Sequence, residues 1–418
     1  MLIEDRFINY TKIDTTADAK SETRPSTPNQ LVLADMLIDE LKQIGVKDAR
    51  KDDNGFVYGT VESNVDYKTD VVGLLAHMDT SDATSGKDIK ARIIRDYDGK
   101  DILLSEGIFS TVSDYPFLKD LKGKDLIVTD GTTLLGADDK AGIAIIMDFI
   151  QYLYHNPEVK HGKIMVCFTP DEEIGTGILN IDLNEFICDY AYTLDGGPVN
   201  NVTFENFNAA SAVVKFNGNS IHPGDAKNKM INATQLAIDF HNMLPVNQRP
   251  EFTEKREGFN HLLSIVGDCQ QAESSYIIRN HDLDLLHQQM RYFELITMHI
   301  NEMFNRHVVE LQMKETYRNM KECLTDKMFI VEQAKSAIEQ LGYNVEYEPI
   351  RGGTDGAHLS FMGIATPNLG TGGRNFHGNH ELAIIDEMKE MVKVLANIIN
   401  IVVERGVKEW LFNQKKYG

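Results

Sequence analysis

Apolar positions along the chain follow more than one period. Residues 31–44 space Leu33, Met36, Leu37, Leu41 and Ile44 along one face of a helix. Residues 71–76, 164–168 and 191–194 are instead short continuous apolar runs, and 142–153 is a strongly apolar helical stretch between the first two. Continuous runs alternating with helices predict strands buried on both faces, the pattern of a layered α/β sheet.

The middle of the chain reads differently. Residues 209–216 predict a strand, and 228–244 an amphipathic helix with Ala233, Leu236, Ala237, Phe240 and Leu244 on one side. Two strands, 262–266 and 274–278, turn through Gly267 and Asp268. Residues 283–304 form a long helix with Leu286, Met290, Phe293, Ile296, Ile300 and Met303 in register, and 308–313 a last strand. The order is βαββαβ, the split motif of a ferredoxin-like domain. A helix over 329–341, a strand-like stretch over 343–347 and a helix from Ile385 then resume the first pattern. One α/β domain, in two parts spanning 1–206 and 319–418, is thus interrupted by an insertion spanning 207–318. The basic and aromatic tail, 407–418, carries no reading of its own.

Length fits this division, since 418 residues suggest two or three domains. With 42% hydrophobic and 25% charged residues the chain is of ordinary globular composition. A formal charge of −21 repels phosphate backbones and anionic bilayers, so neither nucleic acid nor a membrane is an expected partner. Four cysteines, Cys167, Cys188, Cys269 and Cys323, form no CxxC pair. That argues against a disulfide framework or a thiolate zinc site and fits a reducing, cytoplasmic compartment. Residues 1–14 mix Glu4, Asp5, Arg6 and Lys12 with apolar residues, which does not read as a signal peptide. No window reaches the ~18 uninterrupted apolar residues of a membrane-spanning helix.

Chemistry gathers where the apolar runs end. His77 and Asp79 follow the first run, and residues two apart on an extended chain point the same way. A carboxylate so placed can orient a metal-bound histidine. Asp138 and Asp139 open the apolar helix; capping accounts for one of them better than for two. Asp171, Glu172 and Glu173 follow the second run, where adjacent side chains diverge, so one glutamate can bind a metal while its neighbour handles a proton. Asp195 ends the third run before two glycines, and the stretch 372–381 holds His377 and His380. Ligands of open α/β sheets collect at the carboxyl ends of strands. Histidine with carboxylate, and no cysteine, suits paired divalent ions that activate water and share a bridging carboxylate.

The strings H-M-D-T, G-A-D-D-K-A-G, T-P-D-E-E-I-G, D-G-G and F-H-G-N-H-E, in this order, resemble the dinuclear zinc exopeptidases that include aminoacylases and glutamate carboxypeptidase. The longer strings F-E-N-F-N-A-A-S, I-H-P-G, Y-I-I-R and R-G-G-T-D-G-A narrow the resemblance to the tripeptide aminopeptidases of that family. It covers nearly the whole chain. The resemblance implies two zinc ions per subunit, one on His77, Asp138 and Asp195, the other on Asp138, Glu173 and His377, with Asp138 bridging. It implies Glu172 as general base and Asp79 as support for His77. The family's last ligand histidine stands four residues before a glutamate, which implies His377, before Glu381, with His380 as the neighbouring alternative. The insertion is expected to act as a lid whose His222 assists at the oxyanion. Arginine forks suit a free carboxylate, so Arg279 and Arg351 are the candidates for sensing the end of a tripeptide. Short peptides are the expected partners, and a homodimer is allowed. An N-acyl amino acid amidohydrolase, a small carboxypeptidase or a dipeptidase of the same family is the alternative.

Overall fold

The structure is a computed structural model describing residues 1–417, with side chains described as far as Trp410. It divides into two compact units: Met1–Phe204 with Cys323–Glu348 and the segment from Thr354 onward, and Glu205–Glu322 with Pro349–Gly353.

The first unit is built on a seven-stranded sheet. Its order is Arg50–Lys51, Val57–Val61, Ile164–Thr169, Val72–His77, Tyr190–Leu194, Asn368–Leu369 and Val202–Thr203. The central four strands, from Ile164–Thr169 to Asn368–Leu369, run parallel, and antiparallel strands close both edges. Every residue of Val72–His77, Ile164–Thr169 and Tyr190–Leu194 is buried, as their continuous apolar runs predict. One face carries a cluster containing Phe56, Tyr58, Leu75, Cys167, Phe186 and Leu359. The helix Ala137–His155 packs against the middle strand and meets Ile3–Thr11 and the long carboxyl-terminal helix, Ile385–Tyr417. Gly142 also lets the helix come close to the neighbouring strand Tyr190–Leu194: a Cβ there would lie 2.0 Å from the carbonyl oxygen of Leu194.

A smaller antiparallel sheet has the order Gly373–Arg374, Leu382–Ile384, Leu126–Val128 and Arg92–Ile94. No apolar run announced it, because its strands have two or three residues each. Stretch 343–347 is not a strand: Glu346 alone bridges to Asn201, beside a two-residue edge strand.

In the second unit the elements follow the expected order: Asn208–Asn217, Ala233–Met243, Phe259–Gly267, Gln271–Asn280, Leu283–Phe304 and Val309–Tyr317. The four strands form an antiparallel sheet in the order second, third, first, fourth, which is ferredoxin-like. Its two helices bury Phe240, Leu286, Phe293 and Ile300 against Val214, Phe216, Tyr276 and Ile278. The first helix begins five residues later than its apolar spacing suggests. Asn232 caps it by accepting the Gln235 N–H at 3.3 Å, and Ile231 pairs with Asn219 instead. Pro349–Gly353 also belongs to this unit, not to the α/β part where the sequence pattern put it. Ile350 donates its N–H to the Glu205 carbonyl at 2.9 Å, and Arg351 binds the 253–257 loop.

No helix among the described residues is long and apolar enough to cross a membrane.

Candidate active site

Three neighbouring parallel strands end at one edge of the large sheet. His77 pairs in register with Thr169 on one side, and Leu75 pairs with Thr193 on the other. The chain beyond Thr169 therefore brings Glu172 and Glu173 beside His77, and the chain beyond Leu194 brings Asp195. Two further segments reach the same edge. The helix Ala137–His155 starts with Asp138 and Asp139 in non-helical conformation. His377 lies in the hairpin between Gly373–Arg374 and Leu382–Ile384, whose second strand pairs with Leu126–Val128.

These residues form two three-membered groups that share Asp138: His77, Asp138 and Asp195, and Asp138, Glu173 and His377, with ligand atoms in each within 4.8 Å of one another. His77 Nε2 lies 2.8 Å from Asp138 Oδ1 and 3.9 Å from Asp195 Oδ1. His377 Nε2 lies 3.1 Å from Asp138 Oδ2 and 3.1 Å from Glu173 Oε1. His380 turns elsewhere, with Nδ1 2.9 Å from Ser110 Oγ and its ring beside Tyr115.

The supporting bonds are distributed in a way the motifs alone do not reveal. The His77 Nδ1 is 3.1 Å from the main-chain carbonyl oxygen of Asp79 and 3.5 Å from its carboxylate. The Asp79 carboxylate also accepts the N–H groups of Glu172 and Glu173, both at 3.0 Å. Asp139 caps the helix by accepting the Gly142 N–H at 3.1 Å and also takes the His77 N–H at 3.2 Å. Glu381 accepts the N–H groups of Leu135, Gly136 and Asp138 at 2.6, 2.8 and 3.1 Å. It thereby ties the His377 hairpin to the segment carrying Asp138. Sequence reasoning used Glu381 only as a landmark and passed over Asp139 as a support. Asp355 was also passed over; it is buried and accepts the Thr169 hydroxyl at 2.6 Å.

The electrostatics favour a cation. Among the described residues, the ion pairs of Asp138, Glu173 and Asp195 within 4 Å involve only the two histidines. Burial, with neighbouring carboxylates, pushes Asp195 up to about 8 and raises Glu172 well above the usual carboxylate range. Burial likewise raises Glu173 and pushes Asp355 up to about 7. Its hydrogen bond to the Asp138 carboxylate and the nearby negative charge of Glu173 push His377 up to about 10. Glu173 Oε1 is buried and, despite the 3.1 Å approach of His377, has no partner in hydrogen-bond geometry among the described residues. Excess buried negative charge with an unsatisfied carboxylate oxygen fits divalent cations, since an unpaired buried charge is costly.

The other three candidates lie in the second unit. His222 Nδ1 accepts the Gly224 N–H at 3.1 Å in an exposed turn. Arg279 donates Nη1 to the carbonyls of Ala210 and Ile278 and lies over Tyr317. Arg351 donates to the carbonyls of Lys255 and Glu257 and to Thr253 Oγ1, and lies over Phe207 and Phe259.

Known proteins resemble this chain over most of its length. A profile of peptidase family M20/M25/M40 matches residues 131–401. Peptidase T of Caldanaerobacter subterraneus is 46% identical over 406 residues, covering 97% of this chain and 99% of its own. Peptidase T of Clostridium perfringens is 47% identical over 403 residues, covering 96% and 99%. Among solved structures, aminopeptidase PepT from Bacillus cereus superposes with a TM-score of 0.76 at 22% identity, covering 96% of this chain and 98% of its own. A tripeptidase from Staphylococcus aureus does so at 0.75 and 19%, with the same coverage.

Proposed function

The chain belongs to peptidase family M20/M25/M40 and is a peptidase, and from that premise we propose that it is a metal-dependent tripeptide aminopeptidase, releasing the amino-terminal residue of its substrate. The observation that carries the reading is the pair of His–carboxylate groups sharing Asp138. Full-length similarity to proteins named peptidase T supports the choice of peptide substrate.

His77, Asp138 and Asp195 would hold one zinc ion, and Asp138, Glu173 and His377 the other; a donor set of histidine and carboxylate suits zinc. When bound, the pair supplies Lewis acidity at the scissile carbonyl and lowers the pKa of the attacking water. Glu172 is left free of metal by its neighbour Glu173. It takes the proton of the attacking water and delivers it to the leaving amine, a role worth roughly 10²–10⁴ in rate. Asp79 keeps the backbone of both glutamates in place. Glu381 and Asp139 hold the Asp138 segment and the His77 backbone.

His222 assists at the oxyanion, and Arg279 and Arg351 read the free carboxylate of the tripeptide. A guanidinium has five N–H donors, and Arg279 and Arg351 use two and three of them on their own unit. The protein works in the cytoplasm, a reducing compartment that suits its scattered thiols.

Zinc-loaded protein is incubated with di-, tri- and tetrapeptides and their N-acetylated forms, and the products are identified. Release of the first residue from free-amine tripeptides, abolished by a chelator and restored by zinc, is expected. Cleavage of N-acetylated substrates alone would replace this reading with an amidohydrolase, and full activity without metal would remove it.

A further inference from the structure

Two members of the D-E-E run have roles in the reading above, and Asp171 has none. It is nonetheless 4% exposed, with a left-handed φ of 57°, a conformation that aspartate enters more readily than most non-glycine residues. Its carboxylate is fully engaged without any cation. Oδ1 accepts the Ser26 hydroxyl at 2.5 Å and the Gln30 side-chain amide at 2.7 Å, and Oδ2 accepts the Ser26 N–H at 2.8 Å. Gln30 returns the contact, its Oε1 accepting the Asp171 N–H at 3.1 Å. The Asp171 carbonyl accepts the N–H groups of Thr176 and Gly177. The turn is tight, since a Cβ on Gly177 would lie 1.6 Å from the carbonyl oxygen of Pro170.

We propose that Asp171 is a positioning residue that anchors the Glu172–Glu173 pair to the start of the helix Asn29–Ile44. It is the second of two grips. Asp79 holds the N–H groups of Glu172 and Glu173, while Ser26 and Gln30 hold the residue just before them. Every peptide group from Asp171 to the Glu173 nitrogen is thus hydrogen-bonded on at least one side. The two glutamate side chains therefore leave the backbone in fixed directions. Asp171 itself touches neither substrate nor metal, so its effect is on turnover and on the Glu173 metal position rather than on substrate affinity. The inference rests on the roles given above to Glu172 and Glu173.

The geometry permits an exchange of donor and acceptor. Asp171→Asn places an amide NH2 against the Gln30 NH2, and Gln30→Glu places a carboxylate against Asp171. Combining them lets the new amide donate to the new carboxylate, while the Asp171 and Ser26 N–H groups keep acceptors. Metal affinity, kcat, KM and Tm are measured for the parent, both single variants, the double variant and the milder Ser26→Ala, which keeps the Ser26 N–H. The expected result is kcat reduced on the order of 10- to 100-fold in Asp171→Asn, the scale of a small misplacement. KM should be nearly unchanged, one metal more weakly held, and both losses largely reversed in the double variant. Ser26→Ala should show a smaller loss of the same kind, and it decides the matter if Asp171→Asn does not fold. A kcat within about twofold of the parent in folded Asp171→Asn, or a folded double variant no better than the single, overturns the proposal. A parent protein inactive on tripeptides would refute the functional reading instead, and the metal affinities would still report on Asp171.

Discussion

The two sheets bury their strands in opposite styles. In the first unit, Val72–His77, Ile164–Thr169 and Tyr190–Leu194 are buried at every position. In the second, Gln271–Asn280 alternates between buried and more exposed positions, and Phe259–Gly267 along the edge is largely exposed. A sheet covered on both faces leaves polar side chains a place only at strand ends, and there His77, Glu172, Glu173 and Asp195 collect. A sheet covered on one face has polar positions along its whole length. Its sequence therefore advertises register and packing, not chemistry.

If that contrast is right, changes at the strand ends of the first unit should remove function and leave the fold, and changes inside the second should do the reverse. The largest effect is expected for Asp138→Ala. It removes the residue shared by both groups, so metal counting should find both ions lost and tripeptide hydrolysis below detection. Next comes Glu172→Gln, whose amide cannot accept a proton at neutral pH. Two bound ions, an unchanged Tm and a kcat lower by roughly 10²–10⁴ are expected; near-normal turnover would leave the base unidentified.

In the second unit, Phe293→Ala should lower unfolding free energy by about 3–5 kcal/mol, because the ring is wholly buried between Phe240 and Tyr276. Denaturant titration measures it, and a loss under about 1 kcal/mol would contradict the packing. A smaller, pH-dependent effect should come from His281. Its ring lies on Phe207, and burial pushes it down to about 4 against the opposing effect of the Asn206 backbone. Arg256 and Arg351 act in the same direction and Glu205 opposes them. A folded pKa below the unfolded value of about 6.5 means that only the unfolded chain gains the proton as pH falls. Stability from this group is whole above pH ~6.5 and is lost on the way down to about 4. Replacement by phenylalanine should flatten that part of the denaturation-midpoint profile; an unchanged slope would show that His281 is not the titrating group. Smallest of all is Val266→Thr on the exposed edge strand, 70% accessible, which should shift stability by less than about 0.5 kcal/mol.

Much of both folds is legible in the residues. The helix Leu283–Phe304 has the bounds its apolar register predicts, and the three central strands differ from their apolar runs by a residue or so at the ends. These are elements whose burial repeats at one fixed period. The small sheet escaped because strands of two or three residues show no period at all. The Asn228 to Asn232 stretch misled because capping and a bridge to Asn219 outweigh an apolar spacing that continues through it.

The site divides along the same line. Residue types and their places at the ends of apolar runs were properties of the sequence alone: which positions are acid or imidazole, and that Glu172 and Glu173 must diverge. The tertiary structure decided their convergence. It paired Leu382–Ile384 with Leu126–Val128, so that His377 meets Asp138 while His380 turns to Ser110. It also gave the Asp79 carboxylate to the backbone of Glu172 and Glu173, the Glu381 carboxylate to the Asp138 segment, and Pro349–Gly353 to the second unit. The physical reason is range: periodicity reflects burial within one element, whereas such contacts join residues some 90 to 270 positions apart through strand order and register.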